Sequence, residues 1–185
     1  MSDTRRARRH DTREGSAVTG TRRRPSPTAG EREMLRDYLD HHRATLAMKC
    51  EGLTDEQMRR QSMPPSTLSL LALVRHMAEV ERAWFRRTLA GEDVGWVWSD
   101  ERDYQEAFRV GEATRAEAFD AWQAEVQHSR RIERDAPSLE VTGYNPKWES
   151  DVSLRMVMLH LVHEYARHNG HADLLREGVD GVTGA

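Results

Sequence analysis

A short segment near the C-terminus carries most of the side chains in this sequence that could do chemistry. Residues 158–177 read MLHLVHEYARHNGHADLLRE and contain Glu164 and four histidines, His160, His163, His168 and His171. Imidazole nitrogens and carboxylate oxygens bind zinc and related ions, and imidazoles also transfer protons near neutral pH. The segment therefore indicates a metal site or acid–base chemistry, and helical geometry decides which side chains could act together.

Helical spacing selects one pair from this segment. At about 100° per residue, Glu164 and His168 stack one turn apart at the edge of the apolar stripe. His163 lies roughly 140° around the helix from His168. The segment therefore does not reproduce the H-E-x-x-H motif of zinc proteases, in which the histidines are four residues apart. His160 and His171 flank the stripe, whereas His163 points to solvent.

A third ligand is available from another predicted helix. His76 lies in LVRHMAEVERAWF, on the margin of that helix's apolar face. His76, Glu164 and His168 would give two histidines and one carboxylate with a coordination position left open, as in catalytic metal sites. Zinc is the first choice, and iron, manganese or nickel also accept these ligands. The alternative is that Glu164 pairs with His168 or Arg167 without an ion.

Other polar residues fall in or near the apolar stripes. Tyr165 lies on the buried face of the last helix, which indicates a core position more than a catalytic one. Glu81 lies in the apolar face of the second helix, and we interpret it as half of an ion pair, with Arg155 as the candidate partner. Arg155 and Arg167 could recognise an anionic cofactor, but solvated or paired arginines are commoner.

The fold class follows from apolar periodicity. Residues recur at spacings of three and four in segments that predict four helices, over residues 31–51, 68–89, 112–135 and 153–177. No segment has a convincing strand pattern, and the stretch of roughly 17 residues before the last helix is interpreted as a loop. The sequence therefore predicts an all-α protein built as a four-helix bundle.

Capping and loop residues refine these segments. Thr67 and Thr114 are candidate N-caps of the second and third helices, and Gly178 is the predicted end of the last helix. Trp96 and Trp98 lie in the predicted loop after the second helix, and we expect them to fold back on the bundle.

The first 30 residues differ in composition from the rest of the chain. Residues 1–24 hold eight Arg against three acidic residues, a balance of +5 within a chain of net charge −3. An arm with so little apolar content cannot offset the entropy of ordering, so we expect residues 1–30 to be disordered. A basic arm could bind nucleic acid or an acidic membrane, but a solvated tail or an upstream start codon is favoured. The expected folded domain, residues 31–185, is acidic, which argues against a nucleic-acid-binding fold.

Cysteine content and hydropathy bear on the compartment. Cys50 is the single cysteine, so no internal disulfide can form, and a cytoplasmic location is expected. The sequence contains no apolar run of about 18 residues, so we expect no membrane span. The chain contains 26 Arg and two Lys, a bias typical of GC-rich genomes.

Several motifs together resemble the DinB-like superfamily, also called the DinB/YfiT-like metalloenzymes. They are HHRATLAMKCEGLTDEQM, LSLLALVRHMAEVERAWF, SLRMVMLHLVHEYARHNGHADLLRE and VDGVTG. The resemblance covers residues 31–184 and points to an actinobacterial branch of small proteins called mini-circle proteins.

The resemblance implies an up-and-down four-helix bundle with a divalent metal near one end. The metal would be held by His76 from the second helix and by Glu164 and His168 from the last. Much of the superfamily has histidine at the position of Glu164 and glutamine at that of His171. With glutamate at this position, the sequence resembles the mycothiol-dependent maleylpyruvate isomerases. Glutamate can still bind a metal, so the resemblance implies a metal site but leaves the identity of the metal open. His171 is the candidate to orient a ligand or carry a proton, with a plain surface histidine as the alternative.

Members with known activities are S-transferases and isomerases that use mycothiol or bacillithiol. The resemblance therefore implies a metal-dependent mycothiol S-transferase that acts on electrophilic small molecules. A bound metal would lower the pKa of the thiol, and mycothiol would be the available thiol in a GC-rich actinobacterium. The alternative is a non-catalytic or stress-associated protein in which the ion only stabilises the bundle. Bundles of this type often pair, so a homodimer is also expected.

Overall fold

The structure, a computed structural model, describes residues 22–100 and 103–184. The first 21 residues of the arm predicted over residues 1–30 lie outside the described part of the chain. Residues 22–30 are described, and the carbonyl oxygen of Arg23 lies 2.9 Å from Nδ1 of His41 in the first helix. The end of the arm therefore contacts the helical domain.

Helices dominate the described part of the chain. They are α1 (Glu31–Lys49), α2 (Asp55–Arg59), α3 (Leu70–Glu81), α4 (Arg115–Asp135) and α5 (Leu154–Asp180). α3 continues directly into a π-helix over Arg82–Leu89. α1 packs against α5, and α3 packs against both α4 and α5, so the four long helices share one apolar core. Among the residues described, none of the helices has the length and apolar character needed to cross a membrane.

The helix starts follow the capping rules, with one correction. Thr114 caps α4 as predicted, because its hydroxyl accepts a hydrogen bond from the backbone amide of Glu117 in a capping box. α3 is capped by Ser69, whose hydroxyl accepts from the amide of Ala72 at 3.2 Å. The prediction of Thr67 as this cap was wrong by two residues, since both positions carry the same chemistry in one short loop.

The end of α5 lies beyond the predicted one. Gly178 is inside the helix, which ends at Asp180, and Gly181 adopts the left-handed conformation with φ 76° that commonly terminates helices. Gly178 instead allows a close approach, because an added Cβ would lie 2.9 Å from the carbonyl oxygen of Ser62. Either glycine is a reasonable stop signal in the sequence, and only packing distinguishes them.

A β-hairpin occupies part of the segment predicted to be a loop. Strands β1 (Thr142–Asn145) and β2 (Ser150–Ser153) pair antiparallel. The expectation of no strand was wrong, because each strand has four residues and too little apolar alternation to be recognised. The hairpin packs closely on the π-helix: a Cβ added to Gly143 would lie 2.1 Å from the carbonyl oxygen of Thr88.

A buried polar network connects the four long helices. Glu81 of α3 is fully buried and accepts two hydrogen bonds from Arg43 of α1, at 2.8 and 2.9 Å. The hydroxyl of Tyr165 in α5 donates to Glu81 at 2.7 Å and accepts from the indole of Trp122 in α4 at 2.8 Å. Glu81 is thus an ion-pair residue as predicted, and Tyr165 is a core residue.

The predicted partner of Glu81 was wrong. Arg155 lies at the start of α5 and pairs with Glu31 and Glu140, both at 2.7 Å. The sequence does not identify Arg43 as the partner, because a helical wheel shows that a charge points inward but not which neighbouring helix supplies its counterion.

Candidate metal centre

Three predicted ligands meet where α3 and α5 pack together. Oε2 of Glu164 lies 3.4 Å from Nε2 of His168 and 3.9 Å from Nε2 of His76. One potential ligand atom from each residue lies within 4.8 Å of the other two. Their side chains are 10%, 22% and 11% exposed for His168, His76 and Glu164. The pair one turn apart on α5 is therefore joined by a histidine from another helix.

The spacing of these atoms fits a divalent ion. In a tetrahedral zinc site with bonds of about 2.0–2.1 Å, neighbouring ligand atoms are about 3.3 Å apart. The contact between Glu164 and His168 already has this length, and that between Glu164 and His76 needs a closure of about half an ångström. Two neutral imidazoles and one carboxylate are also the donor types that zinc prefers, so the residues present suit the metal that the resemblance implies.

Glu164 is held in its charged form. The nearby imidazoles of His168 and His76, and then the guanidinium of Arg167, hold the pKa of Glu164 well below its usual range despite its burial. Arg167 donates to Oε1, the oxygen that faces away from the His76 and His168 contacts. The carboxylate therefore keeps a negative charge, which stabilises the ion pair with Arg167 and would also attract a metal cation.

His168 and His171 form a contact that suits a ligand and its support. Burial lowers the pKa of His168, which favours the neutral imidazole that binds metals. Nε2 of His168 faces Glu164, while Nδ1 lies 3.3 Å from Nδ1 of His171. Burial and the neighbouring His168 also lower the pKa of His171. His171 thus lies at the ring nitrogen that a supporting group would contact if Nε2 bound an ion.

Two other histidines of α5 lie beside this group. His163 is exposed, as the helical wheel predicts. His160 is 20% exposed, and its Nε2 lies 3.6 Å from Oε1 of Glu164. His160, His163 and Glu164 also have ligand atoms within 4.8 Å of one another, but Arg167 already occupies Oε1. The group around His76 has the more buried donors, and among the described residues no arginine or lysine pairs with the shared Oε2.

Phe108 supports His76 and was not predicted. It ends a short 3₁₀ helix, Glu106–Phe108, in the segment before α4, and its ring stacks on the His76 ring at 4.8 Å between centroids. Sequence patterns do not reveal this role, because a single aromatic residue in an irregular segment has no periodic signal.

The three candidate ligands open onto a cavity of about 1070 Å³. Its wall includes His76, Glu164, His168 and His171. It also includes aromatic residues for which the sequence predicts no role in a site: Trp84, Trp96, Tyr104, Phe108 and Trp148. A cavity of this size with polar groups at one wall is typical of small-molecule sites.

The loop after the π-helix closes part of this cavity. The carboxylate of Glu79 accepts hydrogen bonds from the backbone amides of Val97, Trp98 and Ser99 at 3.0, 2.7 and 2.7 Å. As predicted, the tryptophans fold back on the bundle: the Trp98 ring lies 4.5 Å beneath the guanidinium of Arg75. The carboxylate of Glu79 thus holds the loop by its backbone amides, a role that the pattern of side chains in the sequence does not show.

Comparisons with known proteins give one family. The sequence profile of the family described as Mycothiol-S-transferase (MST) matches residues 34–181, which include most of α1, the three candidate ligands and all of α5. A comparison with curated proteins finds no match. Because the matched region spans most of the 185 residues, the chain belongs to the mycothiol S-transferase family, a member of the DinB-like superfamily.

Proposed function

We propose that this protein is a metal-dependent transferase that joins the sulfur of mycothiol to an electrophilic small molecule. The observation that carries the proposal is the convergence of His76, Glu164 and His168 on the wall of a large cavity. Family membership supports mycothiol as the thiol. We further propose an up-and-down order of the four long helices and a cytoplasmic location.

His76, Glu164 and His168 would hold the ion, with zinc as the first choice. When bound, a divalent ion of this kind lowers the pKa of a thiol that approaches it and so favours the nucleophilic thiolate at neutral pH. Three protein ligands would leave at least one coordination position for water or the thiol, as in catalytic zinc sites.

The remaining residues would position these ligands. Arg167 holds Oε1 of Glu164 and so leaves Oε2 directed at the two imidazoles. Phe108 fixes the ring plane of His76, and His171 orients His168 through its Nδ1. We also propose His171 as a carrier for the thiol proton, since its own pKa is lowered and it lies on the cavity wall.

The cavity has room for two substrates. Ligand pockets typically measure about 300–1,000 Å³, and this cavity of about 1070 Å³ lies just above that range. A thiol and an electrophile could therefore bind side by side, which a transfer between them requires.

Mycothiol consumption by metal-free and zinc-restored protein tests the proposal. We expect the zinc-restored wild type to accelerate conjugation of mycothiol to a model electrophile, and the metal-free protein and Glu164→Ala to give the uncatalysed rate. His163→Ala, which removes an exposed histidine of the same helix, should match the wild type. A wild type that retains zinc but consumes no mycothiol with a panel of electrophiles would favour the alternative in which the ion only stabilises the bundle.

A further inference from the structure

Three rings form a cluster next to the candidate metal centre. Trp84 comes from the π-helix, Trp148 from the hairpin turn and His160 from α5. The Trp84 ring lies 4.2 Å from His160 and 4.8 Å from Trp148, and Trp148 lies 5.7 Å from His160, between ring centroids. Because His160 also lies 3.6 Å from Glu164, the cluster is continuous with the proposed ligands.

The ring planes leave a flat surface open. Trp148 meets Trp84 at 68° and His160 at 87°, so it is not stacked face to face on either ring. Trp148 remains 44% exposed, and all three rings line the cavity. An indole that is held edge-to-face by its neighbours and still exposed can accept a further planar ring.

The hairpin holds Trp148 in place by contacts to the π-helix. The backbone amide of Trp148 donates to Oδ1 of Asn145 at 3.0 Å, and Nδ2 of Asn145 donates to the hydroxyl of Thr88 at 3.2 Å. Gly143 brings the two backbones together at the same place. The indole is therefore positioned by the fold before any ligand binds, which reduces the entropy cost of binding.

We propose that Trp84, Trp148 and His160 form the subsite for the electrophile, and that the protein prefers electrophiles that carry an aromatic ring. This inference rests on the proposed function, because it assigns the electrophile to the part of the cavity wall that adjoins Glu164 through His160. The aromatic ring would lie on Trp148, and the reactive carbon would lie toward Glu164 and His168. Trp84 and Trp148 are thus specificity-determining residues.

A matched pair of slow electrophiles tests this subsite. N-phenylacrylamide and N-cyclohexylacrylamide carry the same double bond and differ in having a planar or a puckered ring. In both, the thiol sulfur bonds to the terminal carbon, the π electrons move to the neighbouring carbon, and that carbon takes up the thiol's proton. Nothing else is consumed or released, so loss of free mycothiol measures both reactions.

We expect the zinc-loaded wild type to favour the phenyl compound about three- to tenfold in kcat/KM, after division by the ratio of the uncatalysed rates. Trp148→Leu should bring this preference close to one, and Trp148→Phe should retain most of it. Tyr144→Leu is the control, because Tyr144 is a 56% exposed aromatic residue of the same hairpin that does not line the cavity. It should behave as the wild type does.

A binding measurement separates this inference from the proposed function. Calorimetric titration with unreactive N-phenylpropanamide should show binding to the wild type that is about three- to tenfold weaker in Trp148→Leu, at equal zinc content. If this binding is found but the protein conjugates no mycothiol, the subsite proposal is supported and the proposed transferase activity is contradicted.

Three results would overturn the subsite. They are conjugation without aromatic preference, a preference that survives in both Trp148→Leu and Trp84→Leu, and a raised KM for mycothiol in Trp148→Leu with the preference intact. The last result would assign the rings to the thiol instead.

Discussion

The two oxygens of Glu164 have different partners, so one carboxylate can face the two imidazoles and also pair with Arg167. Oε2 lies near His76 and His168, whereas Oε1 accepts a hydrogen bond from Arg167. Arg167 therefore limits rotation of the carboxylate, and Oε2 stays directed at the imidazoles. A shared carboxylate with one committed oxygen is a better ligand than a freely rotating one, because less freedom is lost on binding.

His171 should matter for metal affinity although it is not a proposed ligand. Loss of a group that supports a metal-bound histidine typically lowers affinity by about 10–100-fold. We expect His171→Ala to weaken zinc binding by about tenfold in competition with a chelator. His163→Ala is the matched control on the same helix. If His171→Ala binds zinc as tightly as the control does, His171 does not support the metal site and is a plain surface histidine.

Cys50 should take no part in the chemistry. The side chain is fully buried, and burial raises the pKa of the Cys50 thiol to about 12. Since an unfolded cysteine has a pKa of about 8.5, the folded state retains the proton, and its stability should fall as the pH rises from about 8.5 toward 12. Native protein should resist a thiol-specific reagent that labels it fully in urea. Rapid labelling of native protein at neutral pH would contradict this.

The π-helix and the hairpin both contribute residues to the cavity wall. The π-helix supplies Trp84 and Thr88, and the hairpin supplies Asn145 and Trp148. π-helical turns occur often at functional sites, because the altered spacing redirects side chains. The two elements are joined where Gly143 meets the backbone of the π-helix.

Gly143→Ala should displace the hairpin. The new Cβ would lie 2.1 Å from the carbonyl oxygen of Thr88 and 2.6 Å from Cα of Leu89, so the backbones must separate. Overpacking of this kind typically costs about 1–3 kcal/mol, which urea unfolding would measure. Gly170→Ala is the control: a Cβ there meets nothing within 4 Å, so this helical position should gain up to about 1 kcal/mol. Equal stability of the two variants would refute the close contact.

The sequence predicts the long helices well and the irregular elements poorly. The helices bury continuous apolar stripes, which recur with a period that is visible in the residue order. The hairpin and the 3₁₀ turn depend on single contacts such as those of Gly143, Asn145 and Phe108 with distant residues. A pair on one helix, such as Glu164 and His168, is therefore predictable, whereas the aromatic part of the cavity is not.

Across the whole molecule, one buried network joins the helices that carry the site. Arg43, Glu81, Tyr165 and Trp122 come from α1, α3, α5 and α4, and each is buried. Tyr165 directly follows Glu164, so the network also fixes the part of α5 that holds the ligands. The inward charge of Glu81 could be predicted from its helix, but its partner depends on how the helices assemble.

Arg43→Met should destabilise the whole fold. Removing one partner of a buried ion pair typically costs about 3–5 kcal/mol, because the other charge is left uncompensated in the core. Urea unfolding of the metal-free protein would measure this cost without a contribution from zinc binding. Arg155→Met is the control, since Arg155 forms its ion pairs at the surface and its loss should leave the unfolding midpoint nearly unchanged. Equal midpoints for the two variants would contradict the assigned role of Arg43.

The central claim is that two helices jointly hold one divalent ion, and a zinc titration tests it most directly. We expect metal-free wild type to bind one zinc ion per chain. His76→Ala should weaken binding by at least about a hundredfold, because it removes the only proposed ligand outside α5. His163→Ala should bind as the wild type does. A wild type that binds no zinc, or a His76→Ala variant that binds it equally tightly, would contradict the account.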